Sequence, residues 1–398
     1  MEINHKELAE FIRKAVSTKC SLFIHGTTGI GKSWTVVEEA KALAAKAGKI
    51  FVDWNRIIDT EKQKFIDGGT FIENGKEVKL SAEEFREKHY ILVDIRISQM
   101  DPSDLRGLPN FAGNTGYVSW KPNMDFWVLS RPETSGILFL DEMNLAPPAV
   151  QAAAYQIIRD RCIGQVALSE RTGVISAGNT ANDRANVFEM AAPLKNRFMH
   201  VELKIPSAEE WAGNFAFDHD IDPRIISFLK FRPSLLMAGE KIIQDSKTAA
   251  FPTPRTWEMT SRMIDSVSDP RKASLYSSAC IGEASSREFK TFMLMHDTIN
   301  VEDVLANPAL IKEMDLQAKW VLVSAAAERY KAGKRNIKEV IDLCTILNTA
   351  DKDFSISLLR MAKNYNKTGF LPSLRKHPEA MDMVGEYLKY LRDPNSAV

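Results

Sequence analysis

Gly26-Thr27-Thr28-Gly29-Ile30-Gly31-Lys32-Ser33 follows the spacing G-x-x-x-x-G-K-S, which suits a loop whose backbone N–H groups fold around phosphate oxygens. Glycines at 26, 29 and 31 admit backbone conformations that side chains resist, so successive amides can converge on an anion at the positive end of the next helix. Lys32 would reach the β- and γ-phosphates as a point charge, Ser33 would ligate Mg²⁺ through its hydroxyl, and Trp34 would open the helix behind them. A second cluster closes the apolar run Ile137-Leu138-Phe139-Leu140 with two carboxylates, Asp141 and Glu142. A magnesium–nucleotide site requires one acid for the metal and another to polarise the attacking water; Asp141 is assigned the first role and Glu142 the second. Asn179, at the end of Gly173-Val174-Ile175-Ser176-Ala177-Gly178, offers an amide that could orient that water. Taken singly, an acidic pair or an asparagine there would be a turn; a phosphate loop in the same chain changes the reading.

Positioning these groups takes alternating strands and helices. Ser21 to Ile24 reads as a buried strand, and Trp34 to Ala47 as a helix, so the glycine loop joins a strand end to a helix start. Leu8, Phe11, Ile12 and Ala15 repeat at helical spacing ahead of it. Ile50–Val52, Tyr90–Ile97, Gly136–Leu140 and Gly173–Ala177 supply further strands, and a helix is expected over Ala149 to Arg159. The pattern implies a parallel sheet with helices on both faces, and ligands bind at the carboxyl edge of such a sheet. Residues 55–88 are polar and contain Asn74-Gly75, a two-residue hairpin turn, and read as a surface insertion. Between Asp101 and Pro132, Pro and Gly residues suggest a helix interrupted by a hairpin, and Gly164-Gln165 marks another turn. Past Pro206 only helical stripes remain: Ile225, Ile226, Phe228 and Leu229; Trp257, Thr260 and Ile264; Leu316, Trp320 and Val323; Ile337, Val340 and Cys344; Met381, Val384 and Leu388.

At 398 residues the chain exceeds one ordinary core, so two or three domains are expected. The motifs and stripes divide it into an α/β nucleotide-binding domain over 1–205, a helical lid over 206–268 and a C-terminal helical domain over 269–398. Lys+Arg and Asp+Glu both number 52, leaving no global field to favour nucleic acid or an anionic membrane. Four cysteines without a C-x-x-C pair suggest neither disulfides nor zinc, and a reducing cytoplasm fits them. The polar start and the lack of a long apolar run leave no expected export or membrane route.

Taken with Pro193-Leu194-Lys195-Asn196-Arg197-Phe198 and Pro252-Thr253-Pro254-Arg255-Thr256-Trp257, these motifs resemble an AAA+ ATPase of the MoxR group, within a clade that includes midasin-type and McrB-type proteins. The resemblance runs from about residue 5 to 265. Its finer placement rests on Glu142-Met143-Asn144-Leu145-Ala146-Pro147-Pro148-Ala149-Val150-Gln151 and on Asn196-Arg197-Phe198. It implies ATP and Mg²⁺ as cofactors, Arg197 as an arginine finger offered to a neighbouring subunit, and Arg255 as a second sensor coupling phosphate state to the lid. It also implies a ring, expected as a hexamer, that remodels a client or adaptor protein, the leading candidate bearing a von Willebrand factor A domain. Hairpins near 108–120 and 162–170 would face the pore or client, with Phe111 and Tyr117 as candidate contacts. The run Asn179-Thr180-Ala181-Asn182-Asp183 is similar to McrB-type sequences, which use GTP, so no base contact separates ATP from GTP. Two alternatives stay open: a nucleotide-held assembly module with little turnover, against which Glu142 argues, and a nucleic-acid translocase or restriction-type NTPase, which neutral charge disfavours.

Overall fold

A computed structural model of the chain describes residues 1–73, 75–110, 118–180, 188–243, 248–296, 298–333, 336–374 and 376–377. The chain divides into two compact units, Met1–Ile205 and Pro206–Val398.

The first unit is built on seven parallel strands: β1 Glu2–Ile3, β2 Leu22–His25, β3 Ile50–Asp53, β4 His89–Arg96, β5 Ser135–Asp141, β6 Thr172–Gly178 and β7 Met199–Leu203. Their order across the sheet is β1-β7-β2-β6-β5-β4-β3. The central strands read as continuous apolar runs because both of their faces are covered. Helix α1 (His5–Thr18) and helix α2 (Lys32–Lys46) lie on one face, α1 against β6 and α2 against β3, β4 and β5. The other face carries Phe23, Ile91, Val93, Leu138 and Leu140 into a core shared with Ile157 of the helix Pro148–Asp160. This is the α/β sheet flanked by helices that the motifs require, and its topology sets β2, β5 and β6 side by side with their carboxyl ends at one edge.

Two of the strands carry no strong apolar signal. β7 alternates inward Val201 and Leu203 with exposed His200 and Glu202, and β1 is two residues long. The polar stretch 55–88 folds as two helices, Asp59–Asp67 and Ala82–Glu87, around an antiparallel hairpin, Gly69–Glu73 with Lys76–Leu80. The hairpin exposes Ile72, whereas Phe65 and Phe85 are buried, with ring centroids 5.0 Å apart and Trp54 5.3 Å from Phe65. The insertion is therefore anchored by an aromatic cluster beneath a largely polar surface, with Arg86 buried beside it and donating to the Phe65 carbonyl and to Glu133. Helices Pro102–Arg106 and Met124–Leu129 bracket the hairpin Leu108–Asn110 with Ser119–Lys121, and a second short hairpin pairs Cys162–Ile163 with Val166–Ala167. Phe111 and Tyr117 fall outside the described residues, as does the stripe from Met381 onward.

The second unit is helical among its described residues. One buried apolar cluster runs from Ala208 through Trp257, Phe289 and Leu322 to Leu374, so helices on both sides of residue 268 contribute to it. The stripes anticipated at 225–229, 316–323 and 337–344 fall on the helices Pro223–Phe231, Leu316–Lys331 and Ile337–Asn348, and that at 257–264 on the helix Pro254–Met263 with Ile264 as its C-cap.

Candidate functional site

The glycine loop leaves β2 and becomes α2. Gly26, Gly29 and Gly31 have φ of 158°, 77° and 101°, and the last two lie in the left-handed region that favours glycine. At Gly31 space adds a second constraint, since a Cβ there would sit 3.2 Å from His5 Nε2. That same ring nitrogen lies 2.8 Å from the Ile30 carbonyl oxygen, which ties the start of α1 to the crown of the loop. Gly31 caps α2 without a side-chain hydrogen bond, and the first turn of α2 begins directly behind the loop. Lys32 is buried, and its ammonium donates to the carbonyls of Gly26 and Thr27, the latter at 3.0 Å, and to Asn179 Oδ1 at 3.3 Å. A cation held by two carbonyls and an amide sits where a phosphate oxygen would be its stronger partner.

The acids arrive on the neighbouring strand. Ser33 Oγ donates to Asp141 Oδ2 at 2.8 Å, which joins the phosphate loop to the end of β5. Among the described residues no group of three His, Cys, Asp or Glu could hold a metal ion. One hydroxyl and one carboxylate, both hard oxygen donors, fit Mg²⁺, which takes its remaining ligands from phosphate and water. Glu142 follows in a left-handed conformation, φ 56° and ψ 31°, uncommon for a side-chain-bearing residue and costing of order 1 kcal/mol. Its amide donates to Asp141 Oδ1 at 2.8 Å and its carbonyl accepts from Leu145 N at 2.9 Å, which stabilise the turn. The Glu142 carboxylate accepts from the Ser98 hydroxyl.

Asp94 joins the candidate site although the motifs did not reveal it. On β4 it lies two residues before Arg96, the register partner of Asp141. Its Oδ1 is buried and has no hydrogen-bond partner. Burial, and then the charge of Asp141, push its carboxyl up to about 6, with Asp53 and Glu142 adding and Arg96 opposing. The signal was present in the sequence as a lone acid inside the apolar run Tyr90-Ile91-Leu92-Val93-Asp94-Ile95.

Asn179 stands just past β6, with its side chain toward Lys32. The β2 strand reaches the loop through His25, whose Nε2 lies 2.9 Å from His200 Nδ1. The His200 Nε2 is in turn 2.8 Å from the carbonyl of Lys195, the last residue of the helix that precedes Arg197. Burial, and then the neighbouring His200, pull the His25 imidazole down to about 4. Arg197 is exposed between the helix Ala192–Lys195 and β7, where its guanidinium beside the Tyr155 hydroxyl holds that phenol below its usual range. Buried Phe198 beside it meets Phe23 edge-on, with ring centroids 5.3 Å apart, which fixes the backbone on which Arg197 stands. Arg255 is exposed at the second position of the helix Pro254–Met263 in the other unit, behind a capping box from Thr253 to Thr256. Lys32, Ser33, Asp141, Glu142 and Asn179 thus share one sheet edge, while Arg197 stands on the turn before β7 and Arg255 belongs to the helical unit.

No family model and no curated protein matches the chain. Among solved structures it is similar to the K64R mutant of RuvB from Thermotoga maritima, at 12% identity over 78% of this chain and 76% of that one, with a TM-score of 0.28. It is also similar to the replication initiator DnaA bound to AMPPCP and single-stranded DNA, at 13% identity over 98% and 92% with a TM-score of 0.29. A third is the ORC2 protein of Aeropyrum pernix in its ADP form, at 11% identity over 91% and 94% with a TM-score of 0.31. Likenesses this distant carry no argument, and the functional reading stands on the chain's own geometry. No helix among the described residues is long and apolar enough to cross a membrane.

Proposed function

We propose that this chain is a Mg²⁺-dependent ATPase of the AAA+ type that works as a ring and uses turnover to remodel a partner protein. The observation that carries the proposal is the convergence of Lys32, Ser33, Asp141 and Asn179 through direct side-chain contacts at the carboxyl ends of three adjacent strands. Loop amides and the α2 N-terminus bind the phosphates, and Lys32 exchanges its carbonyl partners for phosphate oxygens. Ser33 and Asp141 would hold Mg²⁺, which when bound would offset charge on the phosphates. Glu142 accepts a proton from the attacking water, and Asn179 orients that water against the terminal phosphoryl group. Arg197, exposed on its turn, serves the site of a neighbouring subunit, where its guanidinium offsets charge during bond cleavage. Turnover then depends on assembly. Arg255 couples phosphate state to the helical segment 206–268, which acts as the lid. The sequence resemblance to the MoxR group supports a protein client, with an adaptor bearing a von Willebrand factor A domain as the first to try.

Phosphate release by the wild type, Glu142→Gln and Arg197→Ala tests the reading. Both variants are expected to bind ATP and to hydrolyse it at least about tenfold more slowly, or about 1.4 kcal/mol of barrier. Normal turnover in both would overturn the assignment. A wild type that binds ATP and assembles but does not hydrolyse it would make the chain a nucleotide-held assembly module.

A further inference from the structure

Asn144 lies two residues past Glu142, in the short turn Met143–Leu145, and is buried. Its side chain spends both ends on a single partner. Nδ2 donates to the Asn179 carbonyl at 2.7 Å, and Oδ1 accepts from the Asn179 amide at 3.1 Å. A side-chain amide paired with the N–H and C=O of one residue fixes that residue's backbone on both sides of its Cα. The space for this pair exists because residue 178 is glycine: a Cβ there would lie 2.4 Å from Asn144 Oδ1.

We infer that Asn144 is a positioning residue that acts through Asn179, holding the end of β6 so that the Asn179 amide points to the terminal phosphate and the attacking water. Three facts support it. The backbone of Asn179 is at the exit of its strand, where the ladder no longer fixes it. The Asn179 side chain is aimed into the site, with Oδ1 3.3 Å from Lys32 Nζ. Asn144 itself hangs on the turn that carries Glu142, so the residue that handles water and the residue that orients it are set from one short segment. The main-chain carbonyl of Asn144 also accepts from Phe188 N at 2.8 Å, so the turn is held from a second side whatever residue stands at 144. Removing the side chain therefore loosens Asn179 and leaves the phosphate loop intact.

This inference rests on the ATPase reading, and a double-mutant cycle separates the two. Turnover and affinity for a non-hydrolysable ATP analogue are measured for the wild type, Asn144→Ala, Asn179→Ala and the double variant. Asn144→Ala is expected to lower kcat about 10- to 100-fold, the scale of a small misplacement of a catalytic group, and to keep analogue affinity within about threefold. The double variant is expected to be no slower than Asn179→Ala, because the position of an absent amide no longer matters. Should the alanine variant fail to fold, Asn144→Asp carries the same cycle, since it keeps the volume and an acceptor and loses the donor. Wild-type kcat in the single variant, a fall in affinity that tracks the fall in kcat, or a double variant slower than Asn179→Ala by the full single-mutant factor would each overturn the inference. A wild type that binds no nucleotide would overturn the ATPase reading and this inference together, a result visible in the control alone.

Discussion

The strand-end cluster around Lys32 and the ion network around Arg224 are both dense in partly or wholly buried charge, yet they are bonded in opposite ways. Arg224 is closed: its guanidinium meets Asp222 Oδ1 at 2.9 Å and Oδ2 at 2.6 Å, the carbonyls of Val267 and Ile264, and Glu328 at 3.1 Å. Burial works against its charge, but Asp222 and Glu328 hold its pKa above the usual range. The strand-end cluster is open. Lys32 rests on two carbonyls and the Asn179 amide oxygen, Asp141 on the Ser33 hydroxyl and the Glu142 amide, and Asp94 Oδ1 on no partner. Buried polar groups that are mutually satisfied hold a fold together, and those with valence to spare are poised for a ligand.

The comparison is broken most forcefully at Asp222. Asp222→Ala leaves Arg224 with fewer acceptors and removes the side-chain cap on the Arg224 amide, a bond of 2.9 Å. Breaking one partner from a buried pair is expected to cost about 3 kcal/mol of unfolding free energy in urea titration. Nucleotide affinity should stay within about threefold. A variant as stable as the wild type, or one that loses ATP in the folded state, would remove the distinction between closed and open networks.

Lys32→Ala is the converse. Its ammonium has little structural purpose if phosphate is its intended partner, so the variant should unfold within about 1 kcal/mol of the wild type. Binding of a fluorescent ATP analogue should weaken about 100-fold, or about 2.8 kcal/mol. Equal losses in folding and binding would mark Lys32 as a fold-holding residue like Arg224.

How much of this was readable beforehand follows from the range of the geometry involved. The phosphate loop, Asp141, Glu142 and Asn179 each depend on a few consecutive residues, namely glycines at fixed offsets or a polar residue ending an apolar run, so spacing alone marked them as candidates. The central strands were legible for the same reason, being buried on both faces. Asn144 was visible as a letter in a motif, but its role depends on β5 and β6 lying side by side, which only the sheet order shows. Ser98 and Asp94 reach the acids through the pairing of β4 with β5, a register that no local pattern encodes. β7 escaped because an alternating strand with His and Glu outward reads as polar, and the insertion's Phe65 and Phe85 because two aromatic rings in a charged stretch give no period.

Asp94 gives the finest separation of the two networks, because its unsatisfied charge should appear as a pH dependence. Burial and the charge of Asp141 push the carboxyl up to about 6 in the fold, from 3.8 when free. An acid with a raised folded pKa favours the fold in its protonated form, so this stabilisation is fully present below pH 3.8 and is lost as pH rises through 6. Asp94→Asn, which cannot ionise, should therefore gain about 1–3 kcal/mol over the wild type at pH 8, measured by urea unfolding in EDTA without nucleotide. The gain should shrink through the interval between those two values and vanish below it. A gain that did not vary with pH would place the effect in packing or in the new amide's hydrogen bonds, and Asp94 would then belong with the closed network and not with the open one.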